Sequence, residues 1–111
     1  MPDYHALDAT STVHELIEQS HHHPVAILKH STTCPISSLG KARVDRALST
    51  DALDMPVYLL DLLRHREVSN LVSELTGVRH ESPQLIVLHR GKAVYDSSHL
   101  NIDPAALPSF N

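Results

Sequence analysis

The stretch His30-Ser31-Thr32-Thr33-Cys34-Pro35-Ile36-Ser37 holds the chain's only cysteine and decides how the rest is read. Just before it, Val25-Ala26-Ile27-Leu28 is a short apolar run with β-branched members, which suits a strand covered on both faces. Just after it, Ile36, Leu39, Gly40, Val44, Ala47 and Leu48 recur at helical spacing, leaving Lys41, Arg43, Asp45 and Arg46 toward solvent. Cys34 therefore stands where a strand gives way to a helix. The first turn of a helix presents backbone N–H groups without intrahelical acceptors, and the helix dipole adds partial positive charge there. A thiolate at that point is stabilised relative to a thiol. Pro35 fits the first helical position, where its missing N–H and fixed φ cost nothing. Ser37 occupies the place where a Cys-x-x-Cys motif carries its second sulfur, so the stretch reads as a one-cysteine thiol–disulfide exchanger.

Working outward, Thr12 and Glu15 have capping-box spacing, and Val13, Leu16 and Ile17 follow the helical period, predicting a helix over 12–20. His21-His22-His23-Pro24 is a loop, since the residue before a proline is pushed out of helical geometry. Pro56-Val57-Tyr58-Leu59-Leu60 reads as a second buried strand. Val68, Leu71, Val72 and Leu75 form the clearest apolar stripe in the chain, with Gly77 as a left-handed cap. Leu85-Ile86-Val87-Leu88 and Ala93-Val94-Tyr95 flank His89-Arg90-Gly91-Lys92 and should pair as an antiparallel hairpin. Asp103 as cap and Pro104 as first residue would open a short terminal helix. A strand–helix–strand unit implies parallel strands with a right-handed crossover, to which the hairpin adds antiparallel strands. The expected architecture is one α/β domain over 1–111, a central mixed four-stranded sheet flanked by helices.

Composition narrows the function classes. At 111 residues, with 41% hydrophobic and 20% charged residues, the chain can bury a core without disulfide or metal staples. A formal net charge of −4 argues against a nucleic-acid backbone as partner, and the scarcity of aromatics, with no Trp and one Phe, against a base-stacking platform. The N-terminus lacks the basic start and apolar stretch of a secretory signal, and no apolar run approaches membrane-spanning length, so a cytoplasmic protein is expected. Any disulfide formed by a lone cysteine joins it to another molecule.

The segments 29–37, Lys-His-Ser-Thr-Thr-Cys-Pro-Ile-Ser, and 78–84, Val-Arg-His-Glu-Ser-Pro-Gln, with Tyr95-Asp96-Ser97-Ser98-His99 near the end, resemble the single-cysteine bacilliredoxins, which are thioredoxin-like proteins tied to the low-molecular-weight thiol bacillithiol. The resemblance runs from about the first helix to Ile102. It implies a thioredoxin-like fold, with Cys34 as the catalytic nucleophile in a motif of Thr33, Pro35, Ile36 and Ser37. It further implies that Pro83 is cis and that the backbone of Ser82 lines the bound disulfide. No bound cofactor is implied. Bacillithiol would be a co-substrate, the partners being bacillithiolated client proteins and a second bacillithiol or another redox protein as reductant.

A free cysteine is often a buried small hydrophobe, but the proline after it, the serine at the resolving place and the strand-to-helix junction favour a reactive thiolate. The Ser37 hydroxyl is placed to donate to the sulfur from one turn on. Because bacillithiol is anionic, Lys29, His30, Arg79 and His80 are candidates for a cationic rim, and a protonated His30 would lower the Cys34 pKa. Ten histidines invite a metal hypothesis, yet adjacent residues such as His21, His22 and His23 seldom converge on one ion, and no metal site is expected. Thr32 and Thr33 shape the loop before the helix, Asp61 caps or solvates a turn, and Tyr58 is a core aromatic. Two other functions remain open at this stage. A monothiol glutaredoxin would work with glutathione or carry an iron–sulfur cluster, although Pro35 stands where cluster-binding relatives have glycine. A non-catalytic thioredoxin-like adaptor would only bind partners.

Overall fold

The computed structural model describes residues 4–31, 35–50, 53 and 55–104. Within them the order is β1 (His5–Ala6), α1 (Thr10–Gln19), β2 (Val25–His30), α2 (Pro35–Ser49), β3 (Val57–Asp61), α3 (Arg66–Thr76), β4 (Gln84–His89) and β5 (Lys92–Ser98), followed by a 3-10 turn at His99–Asn101. The strands form one sheet in the order β1-β3-β2-β4-β5. β3 runs parallel to β1 and β2, whereas β4 runs antiparallel to β2 and β5.

Strand alternation divides the core into two layers. Val25, Ile27, Tyr58, Leu60, Ile86 and Leu88 meet Val13 and Leu16 of α1 and Val68 and Val72 of α3 on one face. Ala26, Leu28, Val57, Leu85 and Val87 meet Val44 and Ala47 of α2, with Ile102, on the other. β2 and β4 are buried almost throughout because each has a strand on both sides and a helix over both faces.

The sheet has five strands, not the four expected. The extra strand, β1, is two residues long and pairs His5 with Tyr58 and Ala6 with Leu59 at the sheet edge. It is too short to show a period-two pattern. Its neighbours hold it: Leu7 is buried and donates its N–H to the Leu59 carbonyl at 3.0 Å, and the His5 ring stacks on Tyr58 at 5.0 Å. Tyr4 donates its hydroxyl to Asp45 of α2.

α1 begins at Thr10, two residues before the expected start, with Ala9 at the cap position and no side-chain cap bond. The Thr12–Glu15 spacing is therefore not a capping box; Thr12 already gives its N–H to the Ala9 carbonyl at 3.1 Å. α3 ends at Gly77 with φ 71°, in the left-handed region that favours glycine. The hairpin turn places Arg90 and Gly91 at φ 57° and 78°, the pairing of positive angles that a two-residue turn matched to strand twist requires. Asp61 Oδ1 accepts from the N–H groups of Leu63 and Arg64 at 3.2 and 3.4 Å, the turn role read from its side chain. The terminal helix expected after Asp103 falls mostly outside the described residues. Among those described, no helix is long and apolar enough to cross a membrane.

Candidate active site

α2 opens at Pro35, as its fixed φ and missing N–H foretold. Which face it buries differs from the periodicity. Ser37, Gly40, Val44 and Ala47 face inward, while Ile36 and Leu39 are 41% and 45% exposed. The reason is close approach. A Cβ on Gly40 would lie 3.2 Å from Ile102 Cδ1 and 3.3 Å from Pro83 Cγ, tighter than ordinary contact, so glycine lets the helix settle closely against the segment before β4. Large apolar side chains in the first turn are turned outward as a result. Lys41, Arg43 and Asp45, expected toward solvent, are half-buried and tether the helix. Lys41 pairs with Asp45 at 3.2 Å, and Arg43 Nη1 donates to the carbonyls of Leu100 and Ile102 at 2.7 and 3.0 Å.

The Ser82–Pro83 bond is cis. Pro83 is buried beneath Gly40, and the Ser82 hydroxyl lies 3.5 Å from that of Ser37. Thus Ser37, Ser82 and Pro83, far apart in sequence, meet at the N-terminal end of α2. Cys34 and Thr33 lie outside the described residues, as does Thr32. Cys34 is joined directly to Pro35, the first residue of the helix whose opening turn faces Ser82. The segment around the cis bond is held on its far side by His99. This residue has φ 55°, donates its N–H to the Pro83 carbonyl at 3.0 Å and places Nε2 3.3 Å from a Glu81 carboxylate oxygen.

The expected cationic rim is not assembled as read. Consecutive strand residues point to opposite faces, so Lys29 and His30 separate, and both are buried. His30 goes to the α2 side, where Nδ1 has no hydrogen-bond partner among the described residues. Loss of solvent pushes its pKa below the ordinary value; the Ser37 backbone, Asp61 and Asp45 oppose this and Lys41 reinforces it. His30 is accordingly held neutral and supplies no positive charge to the site. Lys29 goes to the α3 side. Its Nζ lies 3.2 Å from Ser73 Oγ, 3.2 Å from His80 Nδ1 and 3.5 Å from the Ser69 carbonyl, and burial lowers its pKa to about 8. Arg79 and His80 remain exposed.

Sequence reasoning missed the Lys29 cluster because a lysine is ordinarily a solvated residue. Two signals were present. Lys29 continues the Val25, Ile27 alternation, and Ser69 and Ser73 stand four apart on the helix that covers that face. His21, His22 and His23 are exposed in the turn after α1, and among the described residues no group of three or more His, Cys, Asp or Glu side chains converges on a point.

A strand–helix–strand unit joined to a hairpin, with a cis-proline ahead of the hairpin and packed on the helix after the lone cysteine, defines a thioredoxin-fold thiol oxidoreductase of monothiol type. A solved structure described as an oxidoreductase with a thioredoxin fold is 30% identical over 93% of this chain and 88% of its own, with a TM-score of 0.82. The thioredoxin of Fasciola hepatica, at 16% identity over 87% of this chain and 88% of that one, superposes with a TM-score of 0.69. Mitochondrial thioredoxin 3 of Saccharomyces cerevisiae, in its oxidised form, gives 13%, 93%, 88% and 0.70 in the same order; these two share the fold. The sequence profile of the family described as Monothiol bacilliredoxin BrxC matches residues 5–107, and the chain belongs to that family.

Proposed function

We propose that Cys34 removes bacillithiol from mixed disulfides on client proteins. Its thiolate attacks the bacillithiol sulfur, the original sulfur–sulfur bond breaks, and the client sulfur leaves with the electron pair and takes up a proton. A disulfide between Cys34 and bacillithiol remains. A second thiol, from another bacillithiol or a reduced redox protein, then attacks the bacillithiol sulfur, frees Cys34 and carries bacillithiol away in a new disulfide.

The observation that carries this reading is the Ser37–Ser82 approach at 3.5 Å. The position one turn beyond Cys34 holds oxygen in place of sulfur and closes onto the residue before the cis-proline. This supports a cycle with no internal resolving thiol. In it Thr33 and Pro35 frame the nucleophile, exposed Ile36 offers the client an apolar contact, and Ser82 and Pro83 receive the incoming disulfide along their backbone. Clients and the reductant are the partners, and bacillithiol is a co-substrate.

The test supplies a bacillithiolated client and follows both protein masses. Client recovery with wild type, lost in Cys34→Ser, is the expected result. Wild type that becomes labelled while the client stays modified would refute the enzymatic reading in favour of a passive one. A glutathionylated client run in parallel, if processed faster, would replace bacillithiol as the preferred thiol. Ultraviolet thiolate absorbance against pH should place Cys34 ionisation below the free-cysteine value of about 8.5.

A further inference from the structure

Lys29 occupies the middle of the sheet, between parallel β3 and antiparallel β4, and none of its surface reaches solvent. An ammonium in such a place is costly, and an aliphatic side chain would fill the same space without that cost. Packing therefore does not account for it. Among the described residues its hydrogen-bond partners are a hydroxyl, a carbonyl and an imidazole nitrogen, with no carboxylate.

The imidazole connects this cluster to the site. An ammonium has no lone pair, so His80 Nδ1 must accept from it, which fixes His80 as the neutral ring with its proton on Nε2. Ser69 Oγ lies 3.3 Å from the same Nδ1 and competes with the ammonium for its single lone pair. Loss of solvent, Lys29 and Arg66 all lower the His80 pKa, with Glu81 alone opposing. His80 stands two residues before Ser82, and on the other side of the cis bond Gln84 Nε2 donates back to the Arg79 carbonyl at 2.9 Å.

We propose that Lys29, acting through His80, is a positioning residue for disulfide exchange: its ammonium ties the loop carrying Ser82 and Pro83 to α3 and so fixes the backbone edge that receives the incoming disulfide. This rests on the reading of Ser82 and Pro83 as the receiving residues. The titratable and charged groups around the tie are His80, Glu81 and, from α3, Arg66, beside the Ser69 and Ser73 hydroxyls and the Ser69 carbonyl of the same helix. Since Lys29 loses its proton near 8, the tie loosens in mildly alkaline solution.

The test compares two rates at Cys34. One is release of thionitrobenzoate from its mixed disulfide with a cysteine peptide, which needs the receiving loop; the other is alkylation by iodoacetamide, which does not. Lys29→Met and His80→Ala should each slow release about tenfold with alkylation within about twofold of wild type, and the double variant should be no slower than either single one. In wild type the ratio of release to alkylation should fall as pH rises through about 8, and in Lys29→Met it should stay flat. Release and alkylation slowing together, additive effects in the double variant, or a flat wild-type ratio would each overturn the proposal. If Lys29→Met does not fold, His80→Ala and the wild-type ratio decide. The probe contains no bacillithiol, so a protein active on it and inactive on bacillithiolated clients would fault the substrate and not Lys29.

Discussion

Replacing Lys29 by methionine should make the protein more stable at neutral pH and less stable in alkali. Both side chains are long and unbranched, so the packing among Val25, Ile27 and their neighbours is largely kept and the change is the loss of the ammonium. Burial lowers Lys29 from 10.5 to about 8, which amounts to roughly 3 kcal/mol of penalty on the charged folded state. The substitution also gives up the contacts that even the uncharged amine keeps to Ser73 and His80, each worth about 1 kcal/mol. A net gain of roughly 1–2 kcal/mol remains at neutral pH. Below about 8 the lysine is charged in both folded and unfolded chains and the penalty is complete. Between about 8 and 10.5 the unfolded chain holds the extra proton, so wild-type stability rises with pH across that window. Methionine has no such rise, so its advantage should shrink across the same window and reverse at the alkaline end. Urea denaturation of both proteins on either side of the window, with equal m-values, measures this. A variant less stable than wild type at neutral pH, or one offset by the same amount at both, would show that the ammonium is not held at a cost.

The other predictions concern backbone fit and a second buried base. Gly40→Val should cost roughly 1–3 kcal/mol by overpacking against Ile102 and Pro83, and should slow disulfide exchange beyond the loss in folded fraction because Pro83 is displaced; denaturation and peptide-disulfide assays on the same sample separate the two. Gly77→Ala should cost about 1 kcal/mol through its positive φ, with open space around the new methyl and no change in exchange rate. His30 favours its neutral form in the folded state, so its contribution is present above about 6.5 and lost as pH falls below that value. Thermal melts of His30→Leu should lack that part of the acid loss, and an unchanged acid limb would refute it.

The residues that made the fold legible share a property: their pattern is local. The run at Val25, the stripe from Val68 and the glycine in the hairpin turn each announce an element within a dozen residues. What stayed hidden depends on partners distant in sequence. β1 exists because Tyr58 and Leu59 offer an edge, and α1 starts early without a side-chain cap because its packing against α3 outweighs the capping signal. The outward turn of Ile36 and Leu39 follows from Gly40 meeting Pro83 across the loop, which no helical periodicity contains. Within the site, Ser37, Ser82 and Pro83 were named from motifs and the structure brings them together, whereas the joint reading of Lys29 and His30 as a rim failed on strand parity. Cys34 itself rests on sequence and family.

The two outer strands have a consequence for how the sheet ends. β1 covers its edge with two residues, and β5 presents Lys92, Val94 and Asp96 on its exposed alternate positions, the apolar one flanked by the two charges, beside a register shift at Val87 and Leu88. Short, charged and irregular rims are poor templates for an added strand. Both rims therefore work against growth of the sheet by an added strand, whether from a second copy or from an unfolded chain.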